Sequence, residues 1–252
     1  MARAVQVLYN EDDFSWRAPR WGDFPPEVGI KFGVEQMFGP DPLHEENSVL
    51  RKKIALAKSQ GRAVIIDPKL FATPYSMSKA AADIAQLCVT GFTIAAHSGV
   101  DSCHAATQAA RVSYDRFEYP RPPRPLVLGV TELSSKTDED CIAESGDKAD
   151  TWHKACARLA WRLKQSGADG VVCTSVGLLK HVKCVWPEAV TMVTSIRSAE
   201  ITITGDDQRH WMTLDEALTN GADIICLGRI VSQSPDPAAA MRDILAKVAA
   251  HT

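Results

Sequence analysis

An acid and a base stand side by side where an apolar stretch of the sequence ends. The stretch 63-AVIID-67 is followed by Pro68 and Lys69. Asp67 and Lys69 are two positions apart, so in a strand both side chains point to the same face. A lysine beside a carboxylate can act as a general acid. A structural ion pair is the alternative, and the residue types alone leave the two interpretations equally open.

A second lysine joins this cluster if a neighbouring strand holds it there. Lys31 lies within 28-VGIKF-32, another short apolar run. On an adjacent parallel strand its side chain would reach the same space as Asp67 and Lys69. The sequence therefore predicts one charged array of two lysines and one aspartate.

The elements that must position this array follow a repeating pattern. Eight short, continuously apolar runs are typical of parallel strands that are buried on both faces. They cover residues 5–9, 28–32, 63–67, 92–96, 125–130, 170–174, 189–193 and 223–227. Amphipathic stretches that predict helices cover 45–60, 75–89, 101–113, 148–166, 211–219 and 236–250. The alternation predicts one (β/α)8 TIM barrel, an α/β fold, as a single domain over 1–252.

Two features qualify this prediction. An open, doubly wound sheet is the runner-up fold, but no glycine-rich phosphate loop follows the first run. The connection 11–27 is rich in proline and aromatic residues and has little room for a regular helix. We expect an irregular segment there that covers the bottom of the barrel or a neighbouring subunit, and we assign it no function.

In such barrels the chemistry gathers where the strands end. Every predicted strand here ends in polar residues. The candidates, in chain order, are Asn10, Asp67, Lys69, His97, Thr131, Ser135, Thr174, Arg197 and Arg229. A lone histidine such as His97 is more often a hydrogen-bonded structural residue than a catalyst. The other histidines show no spacing typical of metal ligands, and we predict no metal site.

The end of the last strand has the features of a phosphate site. The run 225-ICLGR-229 places Gly228 and Arg229 at the usual phosphate corner of this architecture, where backbone N–H groups can hold an anion. Gln208 and Arg209, in the loop after strand seven, are further possible donors. A surface arginine beside a flexible loop is the alternative interpretation.

Composition excludes several other functions. The net charge of −3 gives no basic field that would attract nucleic acid or an anionic membrane. No apolar run approaches the roughly 20 residues of a membrane helix, and the N-terminal run is too short for a signal peptide. Seven cysteines, an odd number without any Cys-x-x-Cys pair, indicate reduced thiols in a cytoplasmic protein.

With these residues in view, the chain resembles orotidine 5′-phosphate decarboxylases over almost its full length. The matching stretches are 28-VGIKFG-33, 66-IDPK-69, 129-GVTELSS-135, 167-GADGVVCTS-175, 193-VTSIR-197, 206-DDQRHWMTLDEAL-218 and 221-GADIICLGR-229. Sister families on the same barrel, such as keto-gulonate phosphate decarboxylases and hexulose phosphate synthases, share the Asp-x-Lys element. The Ser-Ile-Arg, Asp-Gln-Arg and Gly-Arg series is closer to the orotidine enzymes.

The resemblance implies a role for each member of the array. Lys31 would bond Asp67 and a ribose hydroxyl. Asp67 would face the reacting carboxylate of the substrate, and Lys69 would protonate the ring carbon after carbon dioxide leaves. Fixed charges and tight phosphate binding drive the reaction in this family, which uses no metal and no organic cofactor.

The resemblance also implies the binding contacts. Ser135 would contact the pyrimidine, and Gln208 and Arg229, with Gly228 beside them, would hold the phosphate. Ser76 would reach a ribose hydroxyl in the neighbouring subunit of a homodimer with shared active sites. The remaining candidate substrate contacts are Asn10, His97, Thr131 and Arg197.

Three positions depart from the family pattern. The family's Asp-x-Lys-x-x-Asp motif ends here in Ala72, so the array of two lysines and one aspartate carries a charge of plus one instead of zero. The ribose-binding aspartate of the first strand falls on Tyr9 or Asn10, and Ser195 replaces part of a Pro-Gly pair. Losing one preorganised charge costs on the order of 3 kcal/mol, about a hundredfold in rate.

Three hypotheses follow. The first is a divergent orotidine 5′-phosphate decarboxylase in which another acid, with Asp83 and Asp101 as candidates by proximity in sequence, replaces the lost aspartate. The second is a repurposed relative that binds a nucleotide or sugar phosphate and catalyses different chemistry. The third is a non-catalytic nucleotide-binding protein, which the retained lysine–aspartate cluster argues against.

Overall fold

A computed structural model of the protein shows eight parallel strands that close into a barrel. The structure describes residues 5–11, 20–37, 48–116, 123–198 and 206–251. The barrel strands, in order round the barrel, are β1 (Gln6–Glu11), β2 (Gly29–Gly33), β3 (Val64–Leu70), β4 (Gly91–Ala95), β5 (Leu126–Val130), β6 (Gly170–Cys173), β7 (Val190–Val193) and β10 (Ile224–Leu227). All eight predicted strands are confirmed, and the fold is the predicted (β/α)8 TIM barrel.

Helices surround the barrel, and a small extra sheet lies at its rim. The helices are α1 (Val49–Ser59), α2 (Pro74–Gln86), α3 (Val100–Asp115), α4 (Asp138–Ser145), α5 (Trp152–Ser166), α6 (Val176–Val185), α7 (Leu214–Thr219), α8 (Arg229–Ser232) and α9 (Pro237–His251). Short 3₁₀ helices cover Arg20–Asp23, Val34–Gln36 and Ala96–Ser98. The extra sheet pairs β8 (Ile196–Arg197) with β9 (Met212–Thr213). In the described part of the chain, no helix combines the length and apolar character that a membrane span needs.

Three helices are absent from the sequence prediction, and each has a physical reason. The helix α4 is short and acidic and buries Cys141, so it shows little apolar periodicity. The helix α6 is rich in valine, which lowers helix propensity, but its N-cap Ser175 accepts a hydrogen bond from Leu178 N and fixes its start. The helix α8 is a single turn.

The turns from helix to strand follow the Gly-Ala-Asp pattern of the sequence. Gly167 ends α5 in the left-handed conformation, with φ of 75°. Gly221, after α7, has φ of 76°. Glycine adopts this region without the steric penalty of a Cβ atom, so both positions stop the helix before the next strand.

Side chains along each strand point alternately into the barrel and out toward the helices, and this divides the core into two layers. Eight side chains fill the barrel interior: Leu8, Ile65, Leu128, Val130, Val172, Met192, Ile224 and Cys226. The intervening strand residues, such as Tyr9, Phe32 and Ile66, face outward and pack in the layer between barrel and helices. The next inward positions toward the carboxyl ends of the strands are polar, and they form the wall of the site.

The described part of the connection between β1 and β2 packs on the outside of the barrel. Phe24 meets the outward ring of Tyr9, and Trp21 meets Phe32, both edge to face. Arg62 donates hydrogen bonds to the carbonyls of Phe24, Pro25 and Val28. The segment therefore takes the place of a helix, although it contains one short 3₁₀ turn. Residues 12–19 of the predicted irregular segment lie outside the described residues.

Candidate active site

Lys31, Asp67 and Lys69 form the predicted charged array at the carboxyl end of the barrel. Both lysine Nζ atoms contact the same carboxylate oxygen, Asp67 Oδ2, at 2.7 Å from Lys31 and 2.9 Å from Lys69. Asp67 and Lys31 are each 7% exposed, whereas the Lys69 side chain is 34% exposed. Two strands thus hold a buried ion pair, and the second lysine extends from it toward solvent.

The backbone of β3 bends at the second lysine. Its register with β4 shifts between Ile66 and Leu70, and Lys69 has φ of 48°. This is the left-handed region, which costs energy for a residue with a side chain. Thr93 on β4 compensates, because its hydroxyl oxygen accepts a hydrogen bond from Lys69 N at 2.9 Å. With this backbone, Lys69 Nζ reaches Asp67 Oδ2.

The electrostatics of Asp67 follow from its partners. Burial opposes ionisation, but the charges of Lys31 and Lys69 and hydrogen bonds from Lys31 and Thr93 outweigh it and lower the pKa to about 2. The Thr93 hydroxyl donates to Asp67 Oδ1 at 2.6 Å. Asp67 is therefore a permanent carboxylate at neutral pH.

The array opens into a cavity of about 360 Å³. Ten of the predicted site residues line it: Asn10, Lys31, Asp67, Lys69, Ser135, Thr174, Arg197, Gln208, Gly228 and Arg229. Its wall also includes the apolar side chains of Val130 and Val172 and the thiol of Cys226. Burial raises the pKa of that thiol to about 11, so it stays protonated and acts as part of the wall.

Two polar side chains reach the cavity without a described partner. Asn10 Oδ1 and Thr174 Oγ1 are buried and have no hydrogen-bond partner among the described residues. Asn10 faces inward because Tyr9, its neighbour, packs in the outer layer. Of the two residues at the position of the family's ribose-binding aspartate, Asn10 is thus the one that reaches the site. Buried polar atoms of this kind are normally satisfied by a ligand or water.

At the opposite side of the cavity, arginines meet aspartates. Arg197 binds Asp206 through two bonds of 2.7 Å, and Arg229 Nη2 contacts Asp206 at 3.1 Å and Asp207 at 2.6 Å. The hydrogen bonds from Arg197 lower the pKa of Asp206 to about 2. Burial opposes this shift, and the charge of Arg229 adds to it. Gln208 Oε1 accepts hydrogen bonds from the hydroxyls of Ser134 and Ser195. The acidic partners balance the charge of this arginine corner.

Three predicted substrate contacts do not line the cavity. Thr131 follows the inward Val130, so strand alternation turns it outward, where its hydroxyl contacts Cys156. His97 Nε2 pairs with Glu132 Oε1 at 3.0 Å, which is the structural role that is usual for a lone histidine. Ser76 lies on the exposed first turn of α2, near the Thr73 hydroxyl. Within one chain, none of these three lines the cavity.

The replacement acids proposed for Ala72 are not at the site either. Ala72 is exposed, and neither Asp83 nor Asp101 lines the cavity. Two other carboxylates, Glu132 and Asp207, do line it.

Glu132 was missed by the sequence prediction. It is 4% exposed and joins His97 to Lys136, whose Nζ lies 2.8 Å from Glu132 and 2.6 Å from Glu144. Burial raises the pKa of Glu132, but bonds from His97 and Lys136 outweigh it, so the net shift is downward. Residues 132–136 are not helical, so the spacing of Glu132 and Lys136 gives no helical i,i+4 signal, and no pattern in the sequence predicts the pairing. His97, Glu132 and Glu144 are close enough together to share a cation, and the Lys136 ammonium already contacts both carboxylates.

The fold and site are those of a TIM barrel with a Lys–Asp–Lys array at the carboxyl ends of β2 and β3. A family profile described as "Orotidine 5'-phosphate decarboxylase / HUMPS family" matches residues 28–244, and the chain belongs to this family.

Individual relatives agree with the family assignment. The orotidine 5′-phosphate decarboxylase of Idiomarina loihiensis is 31% identical over 226 residues, which cover 88% of this chain and 87% of the relative. That of Vibrio vulnificus is 33% identical over 224 residues, 87% of this chain and 86% of the relative. The crystal structure of orotidine 5′-phosphate decarboxylase from Lactobacillus acidophilus superposes with a TM-score of 0.74 at 24% identity, covering 98% of this chain and 99% of that one, and supports the fold.

Proposed function

We propose that the protein decarboxylates orotidine 5′-monophosphate to uridine 5′-monophosphate. One observation carries the proposal. The cavity brings the array of Lys31, Asp67 and Lys69 together with Gln208 and Arg229 in one space. A nucleotide monophosphate has its reacting ring and its phosphate at opposite ends, which matches this division of charged groups.

The array supplies the chemistry. The bond between the ring carbon and the carboxylate breaks, carbon dioxide leaves, and the bonding electron pair stays on the ring carbon. Lys69 donates a proton from Nζ to that carbon, and solvent returns the proton to Lys69. Asp67 stays ionised, since its pKa is about 2, and holds both lysines in place. Fixed charges that favour the carbanion-like transition state supply the rate enhancement, so the scheme requires no metal or organic cofactor.

The arginine corner supplies the binding energy. Arg229 is paired with Asp206 and Asp207, and the Asp207 side chain is 65% exposed. A phosphate dianion that enters beside Gly228 would exchange places with these carboxylates on Arg229. Binding energy from this non-reacting end can be used to orient the ring at Lys69. We assign the contact with the base to Ser135, which lines the cavity.

The proposed active unit is a homodimer with shared sites. Phe71 and Tyr75 expose 69% and 73% of their surface on the segment that follows Lys69, next to the exposed Ala72 and Ser76. Two large exposed rings on one short segment are more typical of an interface than of a free surface. Equilibrium sedimentation should show a dimer, and a Tyr75→Asp variant should shift it toward monomer. A monomeric wild type would contradict this part of the proposal.

A repurposed enzyme is the second candidate. The net positive charge of the array is the observation that supports it. Two lysines share one aspartate, Ala72 offers no acid, and Asn10 is neutral. The array therefore has a surplus positive charge that would also suit a more anionic substrate at this end of the cavity. A substrate carboxylate meets less repulsion in such a site, which stabilises the ground state and slows decarboxylation.

One experiment separates the two candidates. Decarboxylation of orotidine 5′-monophosphate is followed by absorbance for wild type, Ala72→Asp and the neutral control Ala72→Asn. Turnover by wild type supports the proposal, and a further gain in Ala72→Asp alone would show that charge at this position limits the rate. No wild-type turnover, with activity in Ala72→Asp only, would refute the decarboxylase function and favour the repurposed enzyme.

A further inference from the structure

The segment that carries Asp207 and Gln208 has little regular structure of its own. Residues 206–211 form no helix or strand, and β9 begins only at Met212. Two backbone hydrogen bonds tie the segment to the loop after β5, because Arg209 N and His210 N both donate to Ser134 O, at 2.9 and 3.1 Å. The position of Gln208, the proposed phosphate contact on this segment, thus depends on how firmly the segment is attached to its neighbour.

A stacked pair of rings provides a further attachment of this segment. The His210 ring lies on the indole of Trp152, with ring centroids 3.7 Å apart and planes 13° apart. His210 Nε2 lies 3.0 Å from the carbonyl oxygen of Lys136, so it donates a hydrogen bond there. Within residues 206–211, only Gln208 and His210 are not exposed.

The platform under His210 is itself rigid. Trp152 is fully buried, and its Nε1 donates to Leu133 O at 3.0 Å. Its backbone N donates to Asp138 Oδ1 at 2.7 Å, at the first residue of α5. Trp152 is therefore part of the core helix α5, and its indole is also hydrogen-bonded to the loop that carries Ser135. A ring stacked on it fixes the distance between the base-contacting loop and the arginine corner.

We propose that His210 is a positioning residue for phosphate binding: its ring, stacked on Trp152, holds Gln208 in register with the loop that carries Ser135. The inference rests on the proposed function, since it assigns the phosphate of the substrate to this corner. It extends that function because His210, which does not line the cavity, would influence the affinity for the phosphate.

The charge state of His210 supports packing as its mode of action. Burial lowers its pKa, and the charges of His153 and Arg209 act in the same direction, while the Lys136 carbonyl and Asp138 oppose them. The imidazole is therefore neutral at neutral pH. It adds no cation to attract the phosphate, and its contribution lies in stacking and in one hydrogen bond.

Three variants test the role. His210→Ala removes the ring and the donor, His210→Phe keeps a ring for stacking, and Trp211→Ala removes the adjacent, 48% exposed ring as a matched control. The affinity for uridine 5′-monophosphate should fall about tenfold in His210→Ala and recover to within about threefold of wild type in His210→Phe. The affinity for uridine, which lacks the phosphate, should not change in any variant. Trp211→Ala should bind both ligands like wild type.

Hydrogen exchange of the free protein gives a readout that needs no ligand. The backbone amides at positions 209 and 210 should exchange about tenfold faster in His210→Ala than in wild type, because the segment opens more often. Unchanged exchange in His210→Ala would overturn the positioning role by itself. Equal loss of uridine and uridine 5′-monophosphate affinity would also overturn it, since that indicates general damage. A wild type that does not bind uridine 5′-monophosphate would instead refute the proposed function.

Discussion

The two ends of the cavity hold their charges in opposite ways. At one end, two lysines share a single carboxylate oxygen of Asp67, so positive charge is in surplus. At the other end, Arg197 and Arg229 meet two aspartates, and the charges balance. The first group belongs to barrel strands and is largely buried, whereas the second depends on a segment with little regular structure.

This difference suggests a division of labour. Charges that act on a transition state must be fixed before the substrate arrives, and strands at the barrel mouth can fix them. Charges that capture a ligand must be able to exchange partners, and a salt bridge to an exposed carboxylate such as Asp207 can be exchanged at low cost. The predictions below test whether chemistry and binding separate in this way.

The largest effect is expected for the lysine that extends toward solvent. Lys69→Ala should lower kcat for orotidine 5′-monophosphate by about a thousandfold, because it removes both the proton donor and one fixed charge. Its affinity for uridine 5′-monophosphate should change by less than about fivefold if chemistry and binding are separate. Steady-state kinetics and calorimetry measure the two quantities. An equal loss of kcat and affinity would contradict the division of labour.

The complementary effect is expected at the arginine corner. Arg229→Ala should weaken uridine 5′-monophosphate binding by about fiftyfold, on the order of 2 kcal/mol, because a charged hydrogen-bond donor to the phosphate is lost. Arg242→Ala, which removes an exposed arginine on α9, serves as the control for net charge. Equal weakening in both variants would mean that general electrostatics, not the corner, binds the phosphate.

The ion pairs of Asp67 should make stability depend on pH in the acid range. Its pKa of about 2 lies below the unfolded value near 4, so its stabilisation is complete above about pH 4 and is lost as pH falls toward 2. Urea unfolding should show wild type losing about 2 kcal/mol more than Asp67→Asn between these pH values. Parallel curves for the two proteins would show that Asp67 is not stabilised by its lysines.

A smaller effect is expected from the threonine that supports both members of the array. Thr93→Val removes the hydrogen bond to Asp67 and the one that supports the strained backbone of Lys69. We expect kcat to fall about tenfold with little change in KM, because the array loses its alignment. Thr107→Val, which removes a buried hydroxyl bond within α3, should reduce stability without this loss of rate. A similar kcat loss in both variants would point to stability alone.

The sequence predicts the barrel and the array because both depend on local rules. Continuous apolar runs identify buried parallel strands, and the ends of those strands place Asn10, Lys31 and Arg229 at one mouth. Asp67 and Lys69 come together as expected, but strand alternation is only part of the reason. The register shift between β3 and β4 and the left-handed backbone of Lys69 also position this side chain, and the apolar pattern alone does not predict them.

The remaining site residues depend on contacts that are distant in sequence. Thr131 was assigned to the cavity although its neighbour Val130 takes the inward position. Glu132 and His97 are 35 residues apart, and their pairing became evident only in the structure. The hydrogen bond from the Ser134 hydroxyl to Gln208 Oε1 likewise joins residues 74 positions apart. Such pairings are properties of the tertiary fold.

The most direct test of the central claim is the release of labelled carbon dioxide from carboxyl-labelled orotidine 5′-monophosphate with enzyme in excess. In a single turnover, the wild type should release the label completely and leave uridine 5′-monophosphate. Lys69→Ala, at a concentration that binds the nucleotide, should release label at about a thousandth of that rate or less. If the wild type binds the nucleotide and releases no label, the lysine–aspartate array does not serve decarboxylation.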